Sequence, residues 1–453
     1  MKMIKNILFF ALILTIKSDE TIDFSSTLSS GTGYSVSDNT VTISSDGTYT
    51  LQGTNTNKNI IVSSSATLIF NSLSLTSTGS LTPLIIDSSN SVSLTLTGTS
   101  TLTDSSSNEN EGVIYLKSGA SLTISGSGTL NLSPNKNMAI NGTDSTSLTV
   151  DGGNIVVSSS TSGVGGIYLR KLITFNDGTY KYTANSGTKH AIDSEGNITI
   201  KKGTYTISSG SGKGIQTEKY LYLGQTSSDN SDLTINIDTS NEGIEAEIIE
   251  VYSGTITIDA DEDGINAAGD DCDEEGTCKG NCKCYMSFSG GEIDVNAGED
   301  GLDSNGDITI SGGKIIVYGA SSGIDQPIDQ DGQITITGGT LFAAGSNEMG
   351  GGVSATNSQQ YLTYTNTIAS GKTITITDSS NNQVLSLNNK KEVKYVYFTS
   401  SGSGFTLNIG DSSSSTTSTN STNSTNSTIS TTVNLSENII LSYYLFALII
   451  LLL

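Results

Sequence analysis

Asp307-Ile-Thr-Ile-Ser-Gly-Gly-Lys-Ile-Ile-Val-Tyr-Gly319, followed shortly by Gly323-Ile324-Asp325, is the stretch whose reading decides the fold. It spells a short strand, a glycine turn and a second strand, and the same phrase recurs along the chain. The apolar pair of its second strand returns as Leu130/Leu132, Ile155/Val157, Tyr180/Tyr182, Tyr205/Ile207, Ile235/Ile237, Ile256/Ile258, Ile293/Val295, Ile315/Val317 and Leu341/Ala343. Alternation within each strand has a period of two, which sends one face inward and the other to water. Helical periodicity is absent from the central region.

Neighbouring copies stand 25 residues apart at Leu130 and Ile155, 21 at Ile235 and Ile256, and 22 at Ile293 and Ile315. A unit of that length has no room for a helix. Three short strands per turn, joined by Gly, Asn and Asp corners, fit an all-β solenoid, the right-handed parallel β-helix. A third strand is marked by Ile167, Ile192, Ile215, Ile244, Ile265, Leu302 and Ile324. Coils of such a fold stack about 4.8 Å apart, so equivalent residues form columns.

Outward from this core, the expected organisation is a signal peptide over 1–18, irregular opening coils with a cap over 19–110, and the regular helix over 111–350. A C-terminal β cap follows over 351–410, since an open solenoid end exposes unpaired strand edges. Lys2 and Lys5 ahead of the apolar run Ile7 to Ile16 give the layout of a secretory signal. A Ser/Thr/Asn-rich stalk over 411–436 carries sequons at Asn420, Asn423, Asn426 and Asn434; others stand at Asn131, Asn141 and Asn197. The apolar tail 437–453, behind a polar spacer and small residues, resembles a GPI attachment signal; a C-terminal membrane helix is the alternative. These features together predict a glycoprotein held on the extracellular face of the cell membrane.

The formal charge is −24 with only 21 Lys and Arg, which argues against nucleic acid and anionic membrane surfaces as partners. Cys272, Cys278, Cys282 and Cys284 cluster in an insertion over 270–285. In a secreted chain they are expected to form two disulfides of open connectivity, with zinc as the alternative.

Three coils carry acids straight after the second strand. They are Asp238-Thr-Ser-Asn-Glu242-Gly, Asp259-Ala-Asp261-Glu-Asp263-Gly and Asn296-Ala-Gly-Glu299-Asp300-Gly. Stacking places Glu242, Asp263 and Asp300 in one column and Asp238, Asp259 and Asn296 in another. A further column is expected from Glu245, Asn266, Asp303 and Asp325. Carboxylates 4.8 Å apart repel by roughly 3 to 4 kcal/mol at an effective dielectric near 20, which water or a cation must screen. Calcium takes six to eight hard oxygens, making Asp238, Glu242, Asp259, Asp261, Asp263 and Asp300 candidate ligands; a solvated acidic corner is the other reading. Lys213 and Tyr318, in columns shared with these acids, together with Glu245, Asp303 and Asp325, are candidates for contact with an acidic sugar chain. His190 reads as a corner residue.

Gly47-Thr-Tyr-Thr-Leu-Gln-Gly, Leu122-Thr-Ile-Ser-Gly-Ser-Gly-Thr-Leu, His190-Ala-Ile-Asp-Ser-Glu-Gly-Asn-Ile-Thr-Ile and Asp263-Gly-Ile-Asn resemble the secreted carbohydrate-binding parallel β-helix family. The resemblance spans roughly residues 45 to 350. It implies a pectate-lyase-like right-handed fold, bound calcium, and binding of cellulose or polygalacturonate without catalysis. A non-catalytic, calcium-assisted polysaccharide binder is therefore the expected function. A surface coat or adhesin and a polysaccharide lyase are the alternatives. A lyase needs a base beside the metal, and the sole Arg, Arg170, lies three coils from Glu245.

Overall fold

Strand after strand, residues of one coil pair in parallel with the same residues of the next, and three such ladders run along the solenoid. A computed structural model describes residues 18–411 apart from 185–188, 227–231, 240, 270–283, 350–352, 356–358 and 403. The signal segment, Cys272, Cys278, Cys282, the stalk with its four sequons and the apolar tail lie outside the described residues. Described residues contain no helix, and they wind into a β-solenoid of about 12 turns.

The first sheet stacks strands such as Asn197–Ile200, Tyr285–Phe288 and Asp307–Ile310. The second stacks Gly203–Ser209, Leu233–Thr239, Thr255–Ala260, Glu292–Ala297 and Lys314–Tyr318. The third stacks Met138–Gly142, Gly165–Leu169, Ile192–Ser194, Ile265–Ala267, Leu302–Ser304 and Ile328–Gln330. Alternation sets the inward face: Ile235, Ile256, Ile293, Ile315 and Leu341 stand in register and are fully buried. Each apolar column is thus continuous from coil to coil, which a period of two aligned over many turns requires.

The turn between first and second strands carries a column of glycines, Gly153, Gly178, Gly203, Gly254, Gly291, Gly313 and Gly339, all at positive φ and interrupted once, by Leu233 beside Gly203. Two constraints meet there. The left-handed conformation penalises a Cβ, and the coil below leaves no space, since a Cβ on Gly203 would stand 2.1 Å from the Gly178 carbonyl oxygen.

Ile324 does not open the last third-sheet strand; it is exposed at 87%, and the register resumes four residues on, with Leu302 paired to Ile328. Asp329, not Asp325, therefore stands beside Asp303. The parallel second ladder ends where Tyr395–Ser401 pairs antiparallel with Thr340–Gly345, and Gln359–Tyr364 adds to that strand's other edge. Lys372–Thr377, Gln383–Asn388 and Thr406–Asp411 form a separate antiparallel sheet over a second apolar core containing Tyr318, Phe342 and Phe398.

Gly203→Ala is expected to lower stability by about 1–3 kcal/mol, the cost of a strained backbone residue, with added cost from the clash below. Gly163→Ala, also at positive φ but with open space around the new methyl, should cost less. Urea unfolding of the two variants measures the difference.

Candidate functional site

Outward positions of the third sheet line up as Tyr115, Asn141, Tyr168, Asp193, Gln216, Glu245, Asn266, Asp303 and Asp329, one per coil. Three residues earlier in each coil, the corner carries His190, Lys213, Glu242, Asp263, Asp300 and Gln326. These two columns change from aromatic and cationic at one end to acidic at the other.

Several corner side chains accept from the next coil's backbone. His190 Nδ1 accepts the Lys213 N–H at 2.9 Å, Asp263 Oδ1 accepts the Asp300 N–H at 2.8 Å, and Asp300 Oδ1 accepts the Gln326 N–H. Lys213 Nζ pairs with Glu242 at 3.0 Å and also with Glu245. Desolvation dominates the titration of Asp263, Asp300 and Asp303. Burial pushes Asp263 up to about 8 against the opposing Asp300 N–H bond, with neighbouring carboxylates adding to the rise. Asp303 is raised to about 7 and Asp300 to about 6, again by burial first. Asn266, between Glu245 and Asp303, is 8% exposed and its Oδ1 has no hydrogen-bond partner.

The six expected metal ligands do not converge. Asp238 and Asp259 sit exposed on the second sheet, Asp261 is exposed at the corner, and only Glu242, Asp263 and Asp300 share the corner column. Among the described residues, no three or more His, Cys, Asp or Glu are grouped so as to hold a metal ion. Tyr318 does follow Asn296 in register, yet it is 1% exposed beneath the C-terminal segments, with Lys390 Nζ 5.9 Å from its ring centroid. It is unavailable to a ligand. Asn141 is also buried, its amide donating to the Asn110 carbonyl at 3.0 Å, so that sequon is not presented for glycosylation. Cys284 is buried, and its three companions lie outside the described residues.

Sequence reasoning missed the other end. A cavity of about 420 Å³ opens on the third face, within the range of small-ligand pockets. Its lining includes Asn137, Asn141, Tyr168, Arg170, Lys189, His190 and Asp193. The Tyr168 hydroxyl donates to Glu195, and Arg170 pairs with Asp144 at 2.8 Å and Glu195 at 3.2 Å while lying 5.9 Å from the Tyr168 ring centroid. Lys189 Nζ donates to Asn137 Oδ1 at 2.5 Å, and burial lowers its pKa. Burial, then Glu218 and Glu195, push Asp193 up to about 7; burial and then Lys213 hold His190 down near 4. An aromatic face beside two cations and a protonatable acid suits a sugar ring bearing a carboxylate. The signal was present: the sole Arg, the sole His and Lys189 fall in consecutive coils of the third column.

A family model described as carbohydrate-binding domain-containing protein matches residues 37–281. The chain belongs to this family. The matched span holds the cavity and the lower part of the acidic column. A solved structure, the polysaccharide lyase-like protein from C. thermocellum as a gadolinium derivative, is similar at 20% identity and a TM-score of 0.34, over 70% of this chain and 95% of that one. No curated protein matches.

The raised acids make a pH prediction. Asp193, Asp263, Asp300 and Asp303 bind protons more tightly folded than unfolded, so their contribution is largest below the unfolded value of 3.8 and is lost as pH rises through about 6 to 8. In metal-free buffer the melting temperature should fall between about pH 5 and 8.5. Asp263→Asn should flatten that slope, as followed by circular dichroism.

Proposed function

We propose that this chain is a non-catalytic polysaccharide-binding protein of the cell surface that takes acidic sugar chains along the third face of the solenoid. The cavity around Tyr168 is the observation that carries the reading. It sets Arg170 and Lys189 where a uronate carboxylate needs charge-assisted donors, next to an aromatic ring that suits the sugar's C–H face. Family membership supports the carbohydrate class.

Calcium enters as a partner of the ligand. Asp303 and Asn266 offer hard oxygens, and the orphan Asn266 Oδ1 fits such a cation. Asp263 and Asp300 already each use one oxygen on a backbone N–H, so the protein alone offers few donors. A cation there would complete its shell with the glycan carboxylate, bridging sugar to protein. The four cysteines are read as disulfides pinning the insertion. Surface retention is assigned to the apolar tail, processed to a GPI anchor after the signal peptide is removed.

Affinity electrophoresis in polygalacturonate tests the core of this reading. Arg170→Ala with Lys189→Ala should weaken retention at least tenfold, and EDTA should weaken wild-type retention while calcium restores it. Retention of no glycan at all would favour a structural coat or adhesin. Unsaturated product absorbing in the ultraviolet would establish a lyase, with Lys189 the first base to replace. Separately, phosphatidylinositol-specific phospholipase C should release the protein from intact cells, whereas a membrane helix would resist it.

A further inference from the structure

Asp193 is the one acid among the residues that line the third-face cavity. It stands outward in the strand Ile192–Ser194, in register with Tyr168 of the coil before and Gln216 of the coil after. The cations around it are engaged elsewhere. Arg170 pairs with Asp144 and Glu195, Lys189 donates to Asn137 Oδ1, and Lys213 pairs with Glu242 and Glu245. Burial favours a proton on Asp193 most, then the carboxylates of Glu218 and Glu195, whereas the Ser194 N–H and Lys213 oppose it. A neutral acceptor for that proton stands beside it in register. Gln216 Oε1 is buried with no hydrogen-bond partner among the described residues, while its Nε2 is committed to Glu245.

From this arrangement we infer that Asp193 meets the ligand as a carboxylic acid: its O–H donates to the sugar's carboxylate, and the cavity holds an acidic chain only while that proton is present. The inference rests on the reading of this cavity as the acidic-sugar site and adds its regulation. A proton shared between two carboxyl groups makes a short, charge-assisted bond, stronger than one accepted by a neutral amide, so the ligand takes the donor over from Gln216. Once the proton leaves, the same oxygens become a fixed negative charge facing the ligand's own, in a cavity where salt screens poorly. His190 does not share this change, because burial and then Lys213 hold it near 4; its Nδ1 accepts the Lys213 N–H, so the neutral ring carries its proton on Nε2. Tyr168 is pushed up to about 12, by burial first, and Arg170 is raised by Tyr168 and Glu195. Lys189, lowered by burial, is the remaining group whose titration also weakens binding as pH rises. Replacing Asp193 separates the two.

The test is calorimetric titration of the full mature chain with a galacturonate trisaccharide, in EDTA, from about pH 5 to about pH 8.5. Affinity should be level below about 7 and fall about tenfold per pH unit above it, with proton uptake on binding that sets in near pH 7 and approaches about one by pH 8. Titrations in two buffers of different ionisation enthalpy measure the uptake. Asp193→Asn keeps an N–H donor but does not titrate, and should bind with level affinity across the range and take up no proton. A wild type whose binding is level with pH overturns the inference, and so does a slope that persists in Asp193→Asn, which would belong to Lys189. Should that variant not fold, the onset of proton uptake by the wild type decides alone: no uptake near pH 7 overturns the inference. Failure to bind the trisaccharide at any pH overturns the reading of the cavity itself, and this regulation with it.

Discussion

Everything in this molecule depends on one constraint: the hydrogen-bonded spacing of parallel strands, about 4.8 Å, applied coil upon coil in register. A residue's nearest outward neighbours are then its own equivalents above and below. Apolar columns gain from that arrangement, as Ile256, Ile293 and Ile315 do. Ionised columns are penalised by it, and the third face shows how the penalty is held down. Asp193, Gln216, Glu245, Asn266 and Asp303 alternate acid with amide, so like charges stand two coils apart and their repulsion is about halved relative to adjacent coils. Gln216 Nε2 donates to Glu245 Oε1 at 3.2 Å, which makes the amide a partner as well as a spacer. Only at Asp303 and Asp329 do two adjacent coils of this column both carry an acid.

The same constraint explains what the sequence discloses. Inward pairs of the second strand could be read directly, because a period of two aligned over many copies leaves one register that buries them all. The corner acids Glu242, Asp263 and Asp300 fell into phase for the same reason. Gly323-Ile324-Asp325 misled because it copies Gly301-Leu302-Asp303, whereas a longer corner delays the true strand to Ile328. Tyr318 misled differently. Its column assignment is right, but strands contributed from beyond residue 360 fold back over it, a long-range contact that no local pattern records. The cavity was illegible because its lining is drawn from several coils and from corners rather than strands, and the chemistry shows only when third-sheet columns are aligned.

Charge is distributed unevenly among the faces. On the second sheet Lys390 Nζ pairs with Asp294 at 2.7 Å and Lys391 donates to the Ala297 carbonyl, so the C-terminal region brings one cation to an acid and one to a backbone carbonyl nearly a hundred residues earlier. Near the third sheet Lys213 answers Glu242 and Glu245, but Asp263, Asp300 and Asp303 respond to burial, and after it to their carboxylate neighbours, by raised proton affinity instead. A cation bound there has to displace the protons these acids hold, so calcium binding at this end should strengthen as pH rises and should release protons. That is the physical link between the acids' titration and the proposed role of calcium.

A polymer lying along the axis of a solenoid meets a new coil every 4.8 Å or so, and therefore samples a column in order. Along the third face that order runs from Tyr115 and Tyr168, past Arg170 and Lys189, to Asp303 and Asp329. On the proposed reading, the two ends ask opposite things of a polyanion: direct pairing at the first, a bridging cation at the second. Affinity for a long acidic chain should consequently exceed that of a fragment filling the cavity alone, because the second contact is made by a tethered segment at high effective concentration. Removing calcium from the long chain's complex should then cost the avidity and leave the cavity contact, so the chelated affinity of the polymer should approach that of the short fragment. A chelated polymer that still bound far more tightly than the fragment would mean that the acidic end makes its contact without a cation.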